Sequence, residues 1–265
     1  MNLLHLNDRP GAYPPSLYAA QSGEEPGRAP LRGDRRADVA VIGAGYTGLS
    51  AALHLARQGL SVVVLEAHRV GFGASGRNGG QIGSGQRQEV DWMEQHLGPD
   101  AARRLWDLGE EAKALTRALA AEAGVPIRDG IAHACRTASE VDHARHMADH
   151  LARHYGYDQV VPLDREQLAE ALGSPAYVGG DLDRGAGHIQ PLGLALGMAR
   201  LAEAAGAMIC ERSEVTGIIH APHAGQDSRI TTRDGSLRAG HVILACNGYL
   251  GRLDRHVAAR VLPIN

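Results

Sequence analysis

The sequence predicts an α/β fold: a Rossmann-like domain on a parallel sheet, with a second, incomplete α+β domain inserted into it. Three observations carry that expectation. Two apolar runs, Asp38–Ile42 and Ser61–Glu66, flank a helix-periodic stretch from Thr47 to Gln58. The joint between the first run and the helix reads Gly43-x-Gly45-x-x-Gly48. An acidic residue, Glu66, closes the second run. Strands that are apolar on both faces belong to a sheet covered on both faces, and the βαβ unit builds such a sheet.

The elements follow in chain order. Residues 1–36 read as an extended lead-in, because Tyr13-Pro14-Pro15, Pro26, Pro30 and the charged Arg32–Arg36 run disfavour regular structure. The first helix has its apolar stripe at Leu49, Ala52, Leu53, Leu55 and Ala56, and Gly59 stops it. Residues 71–85 carry seven glycines, at 71, 73, 76, 79, 80, 83 and 85. That density predicts a loop lying close to something flat or crowded. Helices are predicted over 91–96 and 100–124, where Ala, Leu, Glu and Arg dominate. Ile131–Arg136 reads as a strand and Ser139–Tyr155 as a helix capped by Ser139. Asp164–Leu172 reads as a short helix, with Asp164 and Gln167 spaced as a capping box. Tyr177–Leu182 and His188–Gln190 read as extended, and Pro191–Ala205 as a further helix. A meander follows: Val215–His220, Arg229–Arg233, a turn at Asp234-Gly235, and Leu237–Cys246. The expected domains are therefore 37–125 with 186–251 for the Rossmann-like part, and 126–185 with 252–265 for the partial second domain.

Composition bounds the function. A chain of 265 residues fits one large domain or two small ones. With 44% hydrophobic and 22% charged residues it is not a disordered or fibrous sequence. A net charge of −3 gives no electrostatic case for nucleic acid or an anionic membrane as partner. Lys113 is the single lysine. The three cysteines, Cys135, Cys210 and Cys246, are far apart and form no CxxC pair, so a disulfide framework and a zinc ribbon are not expected. A reducing cytoplasm fits them. Residues 1–30 hold no apolar stretch of the signal-peptide kind, and no run reaches the ~18 apolar residues of a membrane span.

Each part of the glycine motif has a mechanical reason. Gly43 permits a tight turn, Gly45 lets a diphosphate approach the backbone, and Gly48 lets the helix pack against the strand. The helix N-terminus turns its free N–H groups and positive dipole end toward the phosphates. Glu66 would accept hydrogen bonds from ribose hydroxyls and repel a 2′-phosphate, which argues against NADP. The fingerprint alone serves NAD or FAD equally. The second cluster, Gly71 to Gln81, tips the balance to FAD. It directly follows the ribose strand, and its bare backbone can reach a planar ring and its ribityl-phosphate linker. Arg77 and Asn78 would add donors where charge develops on the ring. The other reading of this cluster is a surface loop.

The stretch from Asp38 to Gln81 closely resembles FAD-dependent oxidoreductases of the glycine/D-amino-acid oxidase (DAO) family, and within it the branch acting on gamma-glutamylputrescine. The matching text is VIGAGYTGLSAALHLA, VVVLEAHRVGFGASGRNGGQ, GAGHIQPLGLA at 185–195 and VILACNGYLG at 242–251. The resemblance implies FAD as cofactor and an amine as substrate. A hydride would pass from the amine-bearing carbon to the flavin, the imine would hydrolyse, and oxygen would be reduced to hydrogen peroxide. Related members acting on glycine, sarcosine or a D-amino acid are the alternative, as is a non-catalytic remnant that only binds FAD. By position, Gly43, Gly45, Tyr46, Thr47, Gly48 and Glu66 would hold the ADP half. Ala74, Ser75, Gly76, Arg77, Asn78, Gly79 and Gly80 would lie along the flavin half. Val215 would touch adenine through its backbone, and Ala245, Asn247 and Gly248 would close the pocket. The chain is shorter than the family's members and stops in the apolar run Val261–Asn265, which reads as a strand in want of a partner. A missing C-terminal half or a second copy is the expected macromolecular partner.

Smaller signals remain. His143, His146, His150 and His154 share one helix face, two of the steps being i, i+4. No HExxH and no nearby cysteine accompanies them, so a solvated face is expected and no metal. The weak catalytic candidates are Arg77, Gln81 and His188. His188 and Gln190 either face the flavin, with His188 taking a proton from an ammonium substrate, or mark a strand–helix junction. Cys246 is expected to be a small buried side chain, Trp92 and Trp106 core residues, and Lys113 part of a solvated helix face.

Overall fold

The computed structural model describes residues 3–5, 9, 11–23, 25–223 and 225–261. Two compact units emerge. The first comprises the chain up to Asn78, Ala123–Val125 and everything from Gln190 onward; the second comprises Gly79–Glu122 and Pro126–Ile189.

In the first unit, α1 (Leu17–Gln21) interrupts the lead-in, with the Ser16 hydroxyl accepting from the Ala19 N–H at 3.2 Å. Next come β1 (Gly33–Ile42), α2 (Tyr46–Arg57) and β2 (Val62–Leu65). The second unit contains β3 (Gln81–Ile82), α3 (Val90–Leu97), α4 (Pro99–Glu122), β4 (Ile127–Cys135), α5 (Ala138–His150), β5 (Val160–Leu163), α6 (Arg165–Leu172) and β6 (Gly179–Ile189). The chain returns to the first unit with α7 (Pro191–Ala204), β7 (Met208–Cys210), β8 (Val215–Ile219), β9 (Ser228–Thr232), β10 (Gly235–Leu244) and α8 (Arg255–Ala258).

The first sheet runs β7-β2-β1-β10-β9-β8. β7, β2, β1 and β10 are parallel, while β9 and β8 fold back antiparallel. The predicted βαβ unit is present, with Val39 to Ile42 in register with Val62 to Leu65. Leu49, Ala52 and Leu53 of α2 are fully buried, as are Ala40, Val41 and Val64 of the sheet. Pro191 opens α7, and the Gln190 side-chain oxygen caps it by accepting from the Gly193 N–H. Two features escape local pattern. β1 starts at Gly33 because β10 gives it a partner along its whole length, from Gly33↔Gly235 to Ile42↔Leu244. β7 is a three-residue strand, too short for a period, and exists because β2 has an open edge to pair with. The expected strand Val261–Asn265 falls beyond Val261 outside the described residues.

In the second unit, β6 is the central strand, with β3, β4 and β5 all antiparallel to it. The two extended segments expected here, Tyr177–Leu182 and His188–Gln190, are one strand because those three neighbours hydrogen-bond along it. The helix expected to be capped by Ser139 is capped by Thr137, in a capping box with Glu140. It ends in a π-turn over Leu151–Tyr155, stopped by Gly156 in the left-handed region. The Asp164/Gln167 capping box is as expected. The domain bounds differ from expectation. Residues 79–122 cluster with the second unit, because β3 pairs with β6 and carries α3 and α4 along. The described residues from 252 cluster with the first.

Two further expectations are corrected here. Trp106 is core at 5% exposure, but Trp92 is 40% exposed and stacks on His96 at 4.1 Å. Lys113 is not solvated but buried at 9% exposure. Its Nζ lies 2.7 Å from Glu110 Oε2 and donates to Ser84 Oγ (2.8 Å) and Tyr157 Oη (3.2 Å). Tyr157 in turn donates to Asp183 at 2.6 Å; burial, then that bond, pushes its phenol well above the ordinary range. The segment around Lys113 reads as surface because the groups that enclose the ammonium come from distant parts of the chain. Lys113→Met is expected to destabilise the protein by about 2 kcal/mol, since it leaves Glu110 without its cation and Ser84 and Tyr157 without a donor. A fall in the urea midpoint checks this; an unchanged midpoint would show that the network contributes nothing.

Candidate functional site

The carboxyl ends of β1, β2 and β10 border a cavity of about 650 Å3 in the first unit. That size is within the ~300–1,000 Å3 of small-ligand sites, and the carboxyl edge of an open α/β sheet is where such sites form. Its walls come from the Gly43–Gly45 turn, Leu65–Ala67, the Phe72–Ser75 loop, Glu214–Thr216 and the segment from Ala245 to Leu253.

The turn explains the first motif. Gly43 has φ +105°, and a Cβ there would sit 2.6 Å from the Ala245 carbonyl oxygen. Its N–H donates to the Leu65 carbonyl at 2.9 Å, holding the turn against β2. Gly48 brings α2 onto the same turn: an added Cβ would fall far inside contact with the Gly43 carbonyl oxygen and 3.1 Å from Val41 Cγ1. At Gly45 the added atom would meet only the Ser75 hydroxyl, at 2.8 Å. That hydroxyl accepts from the Tyr46 N–H at 3.0 Å, so Ser75 sits at the helix N-terminus, where N–H groups are left unpaired by the helix itself. Tyr46 points away and donates to the Pro191 carbonyl (2.9 Å); burial raises its pKa. Thr47 is exposed and outside the cavity wall.

Glu66 accepts from the Ala44 N–H and the His68 N–H, both at 2.8 Å. Burial raises its pKa against the opposing pull of these two bonds. The second glycine cluster is tied to the turn by Gly71 N–H to the Ala44 carbonyl, 2.9 Å. Ala74–Gly76 form one turn of 3-10 helix. Arg77 donates to the Phe72 carbonyl at 2.8 Å, its guanidinium 4.6 Å over the Phe72 ring. Asn78 donates to the Ala74 and Ser75 carbonyls at 3.1 and 3.0 Å. Both side chains thus shape the loop. Gly76, within the loop, is buried.

Val215, Ala245, Asn247 and Gly248 line the cavity. Asn247 takes a positive φ of 47° where the chain leaves β10. Cys246 lines it too; burial, then the charge of Glu66, pushes its thiol up to about 11, so it is no thiolate at neutral pH. On the second unit, Gly79 is exposed and the Gly80 carbonyl accepts from the Ile189 N–H at 2.9 Å. Gln81 and His188 are exposed register partners on β3 and β6, a proximity that 106 intervening positions conceal. Gln190 belongs to the junction with α7.

Sequence reasoning missed Leu4, Glu214 and the Tyr249–Leu253 segment as wall residues. No motif marks Leu4, Glu214, Arg252 or Leu253, while Tyr249 to Gly251 end the VILACNGYLG stretch. The histidine face is engaged by carboxylates from the neighbouring elements: His143 Nε2 lies 2.9 Å from Glu89 and His150 Nε2 3.1 Å from Glu94, to which Tyr155 also donates. Among the described residues no three His, Cys, Asp or Glu side chains are grouped to hold a metal.

A family model described as DAO, FAD dependent oxidoreductase, matches residues 38–265. The chain is 41% identical over 254 residues to a probable oxidoreductase OrdL of Rhizobium meliloti, with 94% of this chain and 58% of that protein covered. It is 36% identical to gamma-glutamylputrescine oxidoreductase of Escherichia coli, again covering 94% of this chain and 58% of the other. Among solved structures, glycine oxidase from Geobacillus kaustophilus superposes with a TM-score of 0.66 at 25% identity, covering 84% of this chain and 58% of that one. The chain therefore spans somewhat over half the length of the curated relatives it matches.

Proposed function

Because the chain belongs to the FAD-dependent oxidoreductase family named DAO, we propose that it forms part of an amine oxidoreductase acting on gamma-glutamylputrescine or an amine like it. The cofactor is FAD. The residues present fit the ADP half of that molecule. The glycines at Gly43 and Gly45 put no side chain of their own into the space before α2, where the Ser75 hydroxyl meets the Tyr46 N–H, and Glu66 offers a carboxylate beside the turn. The single observation that carries the reading is the bond from Gly71 N–H to the Ala44 carbonyl. It fastens the second glycine loop to the first, so both bare backbones border one cavity.

The roles follow. The N–H groups at the start of α2 and the Ser75 hydroxyl would hold the diphosphate. Glu66 would accept the ribose hydroxyls, and Val215 would meet the adenine. The backbone from Ala74 to Gly80, shaped by Arg77 and Asn78, would run along the flavin side, with Ala245, Asn247 and Gly248 closing the wall. When bound, FAD supplies a two-electron acceptor for the hydride on the amine-bearing carbon, and oxygen is reduced to hydrogen peroxide. Three free, separated cysteines support a reducing, cytoplasmic setting and a place in putrescine breakdown is proposed on the Escherichia coli relative's name. Among the described residues no helix is long and apolar enough to cross a membrane.

The test is direct. The purified chain is expected to carry a flavin absorbance and to yield peroxide with gamma-glutamylputrescine. Peroxide with sarcosine or D-alanine instead would favour an amino-acid oxidase, the reading to which the likeness to glycine oxidase lends support. A yellow protein without peroxide would mark a FAD-binding part that needs the remainder of its relatives' length. A protein that takes up no flavin would end the reading.

A further inference from the structure

The lead-in, which reads from sequence as a plain extended segment, reaches the cavity. Leu4 forms part of the same wall as Glu66 and Val215. It is held there from both sides. The buried His68 donates from Nε2 to the Leu4 carbonyl at 2.7 Å and accepts from the Gly11 N–H at Nδ1, 3.3 Å. One donating and one accepting nitrogen is the pattern of a neutral imidazole with its proton on Nε2. His68 also stacks on Phe72, ring centroids 3.9 Å apart. On the other side, His5 Nε2 lies 2.9 Å from Glu214 Oε2, one residue before Val215. Further along, Tyr13 donates to the Val70 carbonyl at 2.7 Å, and the Arg69 guanidinium lies 4.9 Å over its ring.

The two segments that hold Leu4 are themselves joined. Glu66 N–H donates to the Cys210 carbonyl (2.9 Å), Ser213 N–H to the Glu66 carbonyl (2.7 Å), and Arg212 N–H to the His68 carbonyl (3.0 Å). These bonds gather Leu4, Glu214 and Val215 about Glu66 in the cavity wall. A dinucleotide with its diphosphate at the Gly43–Gly48 turn and its ribose on Glu66 would carry its base past the ribose, and Leu4, Glu214 and Val215 line the wall about Glu66. Leu4 is an apolar residue of that wall, supplied from outside the sheet.

We propose that Leu4, pinned by His68 and by the His5–Glu214 pair, is part of the dinucleotide site and closes its adenosine end. This rests on the FAD reading of the cavity and adds to it a binding role for the N-terminal lead-in. Burial of one leucine side chain against a planar base sets the scale of the effect at about tenfold in affinity.

The experiment compares the full chain with a variant lacking residues 1–12 and with Leu4→Asp, each freed of flavin and titrated calorimetrically with FAD and with ADP. Both variants are expected to bind FAD and ADP about tenfold more weakly, by the same factor for the two ligands. The flavin-saturated proteins should keep the full chain's visible spectrum, since nothing on the flavin side is altered. Leu4→Asp serves where the deletion perturbs folding, and its ligand-free melting temperature should match that of the full chain. Affinities within twofold of the full chain, or a loss confined to FAD with ADP unaffected, would overturn the proposal while leaving the FAD reading intact. A full chain that binds neither ligand would overturn both.

Discussion

Gly48→Ala is expected to destabilise the protein by about 3 kcal/mol or more, even though alanine is the better helix former. Helix propensity alone predicts the opposite, a gain of roughly 1 kcal/mol for replacing a helical glycine. Packing decides the sign. The Cβ at residue 48 would overlap the Gly43 carbonyl oxygen, a backbone atom that cannot rotate away, and press on Val41 Cγ1 at 3.1 Å. Relief requires α2 to lift from β1, which would open contacts of Leu49, Ala52 and Leu53, all fully buried. Urea unfolding measures it: the midpoint should fall with the slope unchanged. A variant as stable as the parent would show that the close approach of α2 to the turn is not a real constraint.

Gly45→Val should behave in the opposite way, leaving the fold and removing the cofactor. Gly45 has φ −86° and ψ −175°, an extended conformation that valine adopts freely. Its Cβ would meet only the Ser75 hydroxyl, which a side-chain rotation moves aside. Stability should therefore change by no more than about 1 kcal/mol. The added methyl groups would occupy the space in which a diphosphate approaches the N–H groups of α2. Affinity for FAD and for ADP should fall by at least about a hundredfold, roughly 2.7 kcal/mol. Calorimetric titration of the flavin-free protein checks it, and FAD binding at parental strength would remove the diphosphate from this turn. The pair of variants separates two glycines of one motif, one serving the fold and the other the ligand.

The local parts of this outcome were legible in the chain. The βαβ unit was, because both its strands are apolar throughout and its helix has a clean stripe. The α6 capping box and the proline start of α7 were too, since each depends on residues three or four positions apart. The misreadings share a cause. Lys113 reads as a solvent-facing charge in a Glu- and Arg-rich helix, and Ser84 and Tyr157, which help enclose its ammonium, come from other segments. Ser139 is a good cap by type, yet Thr137 has the glutamate three positions on that completes a box.

By itself the sequence determined the turn at Gly43–Gly48, the carboxylate at Glu66 and the bare loop after it, hence the family and the cofactor. These are properties of short segments, set by backbone sterics and residue chemistry that travel with the segment. Only the tertiary structure decided that Gln81 faces His188, that Lys113 is enclosed, and that Leu4 stands in the wall beside Glu66 and Val215. Each of those joins residues far apart in the chain. Their meeting is set by how sheets pair and where a loosely patterned segment finds hydrogen-bond partners, and no local period records that.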